Sequence, residues 1–159
     1  MDAMAIFGLQ LTLSIVVFGL LAKWFAAPWL RRQSRQQALF WLTLPHAFRH
    51  VGMVFLVPGV VASEMPGSFA APAAYGDLAS GVLALLALIV LRKGWVGALA
   101  LVWLFNTVGT VDLLNALRRT DAVPNLGASW FIPTMFVPLL LVTHAMIFAR
   151  LLRREKQAG

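Results

Sequence analysis

The chain contains five long stretches of mainly apolar residues, and each is long enough, or nearly so, to cross a membrane as a helix. A spanning α-helix needs about 20 consecutive apolar residues. No run of alternating polar and apolar residues competes with these helices. We therefore expect an all-α integral membrane protein, a five-span transmembrane helical bundle formed by residues 1–159 as one domain. The predicted spans are residues 4–27, 38–62, 75–91, 95–117 and 129–152.

The composition excludes most soluble proteins. Charged residues make up 12% of the chain and hydrophobic residues 60%, whereas about 25% of a soluble domain is charged. The chain has no cysteine, which excludes disulfides and thiolate metal sites. The formal charge is +7, but the basic residues stand at the ends of the apolar runs. We expect them to contact membrane lipid rather than nucleic acid.

The basic residues also predict an orientation. Ten of them fall on one side of a five-span chain and two, Arg118 and Arg119, on the other. Basic loops stay in the cytoplasm, so we expect the N-terminus outside and the C-terminus cytoplasmic, in a bacterial inner membrane. The ten are Lys23, Arg31, Arg32, Arg35, Arg92, Lys93, Arg150, Arg153, Arg154 and Lys156.

Four prolines fall inside the second and fifth runs, at Pro45, Pro58, Pro133 and Pro138. Proline removes a helical hydrogen bond, so spans two and five are predicted to be proline-kinked. A chain this short encloses little by itself. We expect a homo-oligomer or a subunit of a larger membrane complex.

Polar residues of three spans lie at one depth. With a rise of about 1.5 Å per residue, His46, Arg49 and His50 of span two reach the level of Asn106 in span four. His144 of span five lies at a similar level. Ionisable groups inside a membrane usually face the bundle interior. We therefore predict a buried site between spans two, four and five.

The three histidines are the predicted catalytic residues. His46 and His50 are four residues apart, which would place both on one face of an α-helix. With His144 they could act as general acids or bases, or bind a divalent metal. Two of them could instead be the axial ligands of a haem. The structural alternative is that they hydrogen-bond neighbouring helices and stabilise the bundle.

Arg49, Trp103, Asn106 and Asp112 are the predicted ligand-binding residues. Arg49 cannot lose its charge, so at this depth it needs an acceptor. That acceptor is either Asp112 in an internal ion pair or the anionic end of a ligand. Asp77 and Asp112 are expected to form interfacial salt bridges with the arginines that follow span four, since both lie near the outer boundary. The alternative is that they form a cation or proton site with Asn115.

Three functions fit these residues. The first is binding of a hydrophobic or amphipathic small molecule, such as a lipid, isoprenoid, quinone or haem. The protein would also be a membrane enzyme if His46, His50 and His144 transfer protons. The second is a proton- or cation-coupled transporter or channel, which predicts a continuous polar path from Asp77 and Asp112 through Asn106 to His46. The third is a non-catalytic membrane anchor subunit.

Overall fold

The computed structural model describes residues 2–153, and over these residues it is all-helical with no strand. Arg154 and Lys156 lie outside the described residues. Five helical segments follow one another, joined by short loops and by a 3₁₀ turn at Thr120–Asn125. They are α1 (Ala3–Arg31), α2 (Arg35–Thr43, continued by a 3₁₀ helix at Leu44–Leu56), α3 (Gly67–Lys93), α4 (Ala98–Leu117) and α5 (Gly127–Leu152).

Four of these helices, α1, α3, α4 and α5, are long and apolar enough to cross a membrane. The prediction of an all-helical, membrane-type fold is confirmed at this level. The second predicted span is not among the four. Its regular α-helix ends at Thr43, because Pro45 has no amide hydrogen, and the chain continues in the tighter 3₁₀ form.

The third helix is longer than the sequence predicts. It begins at Gly67, eight residues before the predicted start at residue 75. Pro66 is the N-cap of this helix, and Pro72 lies inside it. α3 then ends at Lys93 with Gly94 in the left-handed conformation, φ 67°. This turn joins α3 to α4, and the two helices pack against each other.

Side chains from the first turn of α2 bind the ends of two other helices. The Arg35 guanidinium donates to the carbonyl of Leu151 at 2.8 Å, and the Gln36 amide donates to the carbonyl of Leu91. Terminal helix carbonyls lack partners within their own helix. These contacts fix α2 to the ends of α3 and α5. This end of the bundle, where Arg31, Arg92 and Arg150 lie, is called the basic end below.

The 3₁₀ helix of α2 places a straight row of residues against α3. A 3₁₀ helix has three residues per turn, so residues three apart lie in line. The buried residues of the segment are His46, Arg49, Gly52 and Phe55, each three after the last. Runs of 3₁₀ helix longer than 3–4 residues are uncommon, and this one contains thirteen residues.

Glycines on α3 and on the 3₁₀ helix allow the close approach. A Cβ atom added at Gly81 would lie 3.3 Å from the backbone nitrogen of His50. A Cβ atom added at Gly52 would overlap the carboxyl group of Asp77. By contrast, α1 buries only Phe7 and Leu30. It therefore lies at the edge of the bundle.

We predict that Gly52→Ala destabilises the protein by about 1–3 kcal/mol, because the new methyl group overpacks the contact with Asp77. Gly19→Ala is the matched control, since nothing lies within 4 Å of a Cβ atom at that position. Thermal unfolding in detergent measures both. Equal midpoints for the two variants would show that the packing against α3 is loose.

Candidate functional site

Arg49 joins three segments at the centre of the structure. Its Nε donates to Asp77 Oδ1 at 2.7 Å, and its Nη2 donates to Asp112 Oδ2 at 2.5 Å. Its Nη1 donates to the carbonyl of Gly109 at 3.0 Å. The 3₁₀ helix therefore binds α3 and α4 through one guanidinium. Arg49, Asp77 and Asp112 are called the ion triad below.

Of the two acceptors considered for Arg49, the structure shows Asp112 in an internal ion pair. The expected salt bridges of Asp77 and Asp112 with Arg118 or Arg119 are not formed within residues 2–153, because both carboxylates bind Arg49 instead. The sequence placed these aspartates near the outer boundary. It did not show that the 3₁₀ row carries Arg49 to both.

The triad is largely buried, but a small part of each aspartate side chain is exposed. The Arg49 side chain has no exposed surface, while 13% of the Asp77 side chain and 17% of the Asp112 side chain are exposed. Two carboxylates and one guanidinium give a formal charge of −1 when all three are ionised. Such a group is costly to bury, and its cost falls when another positive charge or a proton joins it.

Three glycines make room for the triad. A Cβ atom at Gly52 would overlap Asp77, and one at Gly76 would overlap Asp112. At Gly109 it would lie 2.7 Å from Arg49 Nη1 and 2.8 Å from His144 Cε1. Gly52 and Gly76 are not among the site residues predicted from the sequence. Their signal was position: Gly52 stands three after Arg49, and Gly76 directly precedes Asp77.

His46 and His144 form a buried pair beside the triad. Their ring centroids are 4.1 Å apart, and both residues are almost fully buried. The Asn106 amide nitrogen donates to the carbonyl of His144 at 3.3 Å, so the Asn106 side-chain oxygen accepts from His144 Nδ1 at 2.7 Å. His144 therefore carries a proton on Nδ1. Its Nε2 has no hydrogen-bond partner in the part of the chain described.

His46 is held by Thr143 of α5. The Thr143 hydroxyl lies 2.9 Å from His46 Nε2 and 3.0 Å from the carbonyls of Leu139 and Leu140. When Nε2 is protonated it donates to the hydroxyl, which then donates to a carbonyl. When Nε2 is unprotonated, the hydroxyl donates to it. His46 can therefore change tautomer without losing this hydrogen bond.

The predicted site residues do not all meet. His50 is exposed and its Nδ1 lies 3.0 Å from the carbonyl of Ala47, away from the other histidines. The prediction that His46 and His50 share a face assumed an α-helix, and it is wrong because the segment is a 3₁₀ helix. Trp103 is 37% exposed and packs on Phe148, with 5.5 Å between the ring centroids, outside the buried site.

The arrangement does not fit the cofactors considered from the sequence. Within residues 2–153, no group of three or more His, Cys, Asp or Glu residues could hold a metal ion. A haem between His46 and His144 would need its iron and flat ring between the two imidazoles. At 4.1 Å between ring centroids there is no space for it.

Two small cavities reach the triad. One of about 40 Å³ has a mainly apolar lining that also includes Asp77, Asp112 and Arg119. One of about 20 Å³ is lined by Arg49 and Asp77. A water molecule needs roughly 10–15 Å³ measured in this way. These spaces admit water, and they are far too small for a lipid, quinone or haem.

Comparison with known proteins identifies a family. The family model described as Domain of unknown function (DUF8737) matches residues 6–152. The chain belongs to this family. The match includes every residue of the triad and both buried histidines. No curated protein and no solved structure matches the chain.

We predict that Arg49→Met destabilises the protein by about 3–5 kcal/mol, because it leaves two buried carboxylates without their cation. The triple variant Arg49→Met, Asp77→Asn, Asp112→Asn should regain most of this loss, since no uncompensated charge remains. Denaturant titration in detergent measures both. If Arg49→Met were as stable as the unmodified protein, the triad would contribute little to the free energy of unfolding.

Proposed function

We propose that this protein relays protons through a membrane-embedded helical bundle, as a proton transporter or the proton-conducting part of one. The observation that carries the proposal is the position of Asp77 and Asp112 between a water-sized cavity and the buried His46–His144 pair, with the fixed charge of Arg49 next to both. This develops the transporter hypothesis, but the route passes Gly109 to His144 instead of running through Asn106.

The charge of the triad supports proton binding. Two carboxylates on one guanidinium carry a formal charge of −1 at a depth where an unbalanced charge is expensive. Binding one proton makes the group neutral. The partial exposure of both carboxyl side chains, 13% and 17%, gives that proton access to the cavity.

The His46–His144 pair is the second proton-binding group of the proposed relay, after the ion triad. The Nε2 of His144, which has no hydrogen-bond partner among residues 2–153, lies on the same side of α4 as Arg49. A Cβ atom at Gly109 would lie 3.0 Å from this nitrogen and 2.7 Å from Arg49 Nη1. Because Gly109 has no side chain, the ion triad and the histidine pair can lie close together. His46 then continues the path to Thr143 by its change of tautomer.

The proposal includes the five-span topology. α2 has nine α-helical and thirteen 3₁₀ residues, which at rises of about 1.5 and 2.0 Å give a length of about 40 Å. That length exceeds the hydrocarbon core of about 30 Å. We therefore place α2 across the membrane. The N-terminus is outside and the C-terminus cytoplasmic, as the basic residues predict, with the prolines of spans two and five at bends.

Cysteine labelling tests the topology, because the chain has no cysteine of its own. We expect a membrane-impermeant maleimide to label Gln33→Cys and Ser63→Cys from opposite sides of the membrane, since α2 lies between them. Lys93→Cys is the control and should share the side of Gln33→Cys. Labelling of residues 33 and 63 from the same side would show that α2 does not cross.

Proton flux in liposomes tests the function. We expect the unmodified protein to admit protons when a potassium-diffusion potential is applied, with a pH-sensitive dye inside as the readout. Asp112→Asn and His144→Gln should each reduce the flux to that of protein-free liposomes, because each removes one proton-binding side chain of the relay.

His50→Gln is the matched control for this assay. His50 is exposed and lies outside the path, so the variant should conduct like the unmodified protein. Absence of flux in the unmodified protein, or equal flux in the His144 and His50 variants, would refute the proposed relay.

A further inference from the structure

A large groove lies between α1 and α5, separate from the buried site. It has a volume of about 740 Å³ and opens at the surface of the bundle. Volumes of about 300–1,000 Å³ are typical of small-molecule sites. Its walls are mainly apolar, and they include Phe18, Trp24, Phe25, Trp29, Leu139 and Val142.

A local change in helical period forms one wall of the groove. Residues Ala22–Ala26 of α1 are a π-helical turn, and Pro28 follows it. The missing amide of proline disturbs the preceding turn, and π-turns occur frequently at functional sites. The wall runs from Phe18 to Arg32, a rise of about 21 Å. That is more than half of a hydrocarbon core of about 30 Å, so the groove suits a molecule lying in one leaflet.

A second, basic cavity lies beside the groove. It measures about 120 Å³, and its lining includes Arg31, Arg150 and Arg153 together with apolar residues of α1, α2 and α5. Leu42 and Met146 line both spaces, so the cavity and the groove are neighbours along one face of α5. Among the described residues, none of these three arginines forms a salt bridge. Three guanidinium groups around one space repel each other until an anion joins them.

We propose that the groove and the basic cavity together bind one phosphate-bearing lipid. Its hydrocarbon chains lie in the groove, and its phosphate lies among Arg31, Arg150 and Arg153. Guanidinium groups bind phosphate through paired, charge-assisted hydrogen bonds. The apolar wall beside three arginines is complementary to a lipid with an anionic head group. This site does not depend on the proton relay or on which side of the membrane the basic end faces.

Thermal unfolding of the delipidated protein in a neutral detergent tests the proposal. Dioleoyl phosphatidic acid should raise the unfolding midpoint in a saturable way. Dioleoyl phosphatidylcholine should raise it less, because its choline group offsets the phosphate charge. Inorganic phosphate at the same concentration should leave the midpoint unchanged, since it has no chains to fill the groove.

Matched arginine variants locate the site. Arg150→Gln should lose the response to phosphatidic acid. Arg92→Gln should keep it, because Arg92 lies at the same end of the bundle but outside the cavity. Val142→Trp fills the groove and should also lose the response. Circular dichroism of each variant confirms that it is folded before lipid is added.

Three outcomes would overturn the proposal. The first is the absence of any shift with phosphatidic acid in the unmodified protein. The second is an equal shift in the Arg150→Gln and Arg92→Gln variants, which would indicate a general attraction to anionic surfaces. The third is an equal shift with inorganic phosphate alone, which would indicate an anion site without a lipid.

Discussion

The buried guanidinium of Arg49 determines how three of the five helical segments meet. It is the central contact of the 3₁₀ helix with α3 through Asp77, and with α4 through Asp112 and the carbonyl of Gly109. A charge that cannot be neutralised must find acceptors at this depth. The glycines at positions 52, 76 and 109 are the steric counterpart, because side chains there would occupy the space of the charged groups.

The structure separates two kinds of chemistry. Titratable groups lie together between α2, α3, α4 and α5, next to spaces that admit only water. The groove beside α1 has the volume for a larger molecule, and its walls are apolar. Thr143 belongs to both, since it lines the groove and binds His46. A molecule in the groove therefore lies within one side chain of the histidine pair.

The sequence predicts the membrane-type helical fold and much of the site. Depth matching by helical rise brought His46, Asn106 and His144 to one level, and the structure shows them in contact. Because Arg49 needs an acceptor at its depth, Asp112 was one of the two partners expected for it. Rise gives only height, however, and contact also depends on the angle around each helix. Asn115 lies on the same spacing of three as Asn106, but in an α-helix that spacing rotates about 60° per step, and Asn115 is exposed.

The 3₁₀ form of α2 decides which histidine belongs to the core. In that form Arg49 and Gly52, three and six residues after His46, also face the interior, while His50 faces outward. The same thirteen residues wound as an α-helix would be about 6 Å shorter, given rises of about 2.0 and 1.5 Å. His50 would then turn toward the side of His46, and Arg49 would move out of line with its two carboxylates. The winding of this single segment therefore couples the position of Arg49 to the choice of inward-facing histidine.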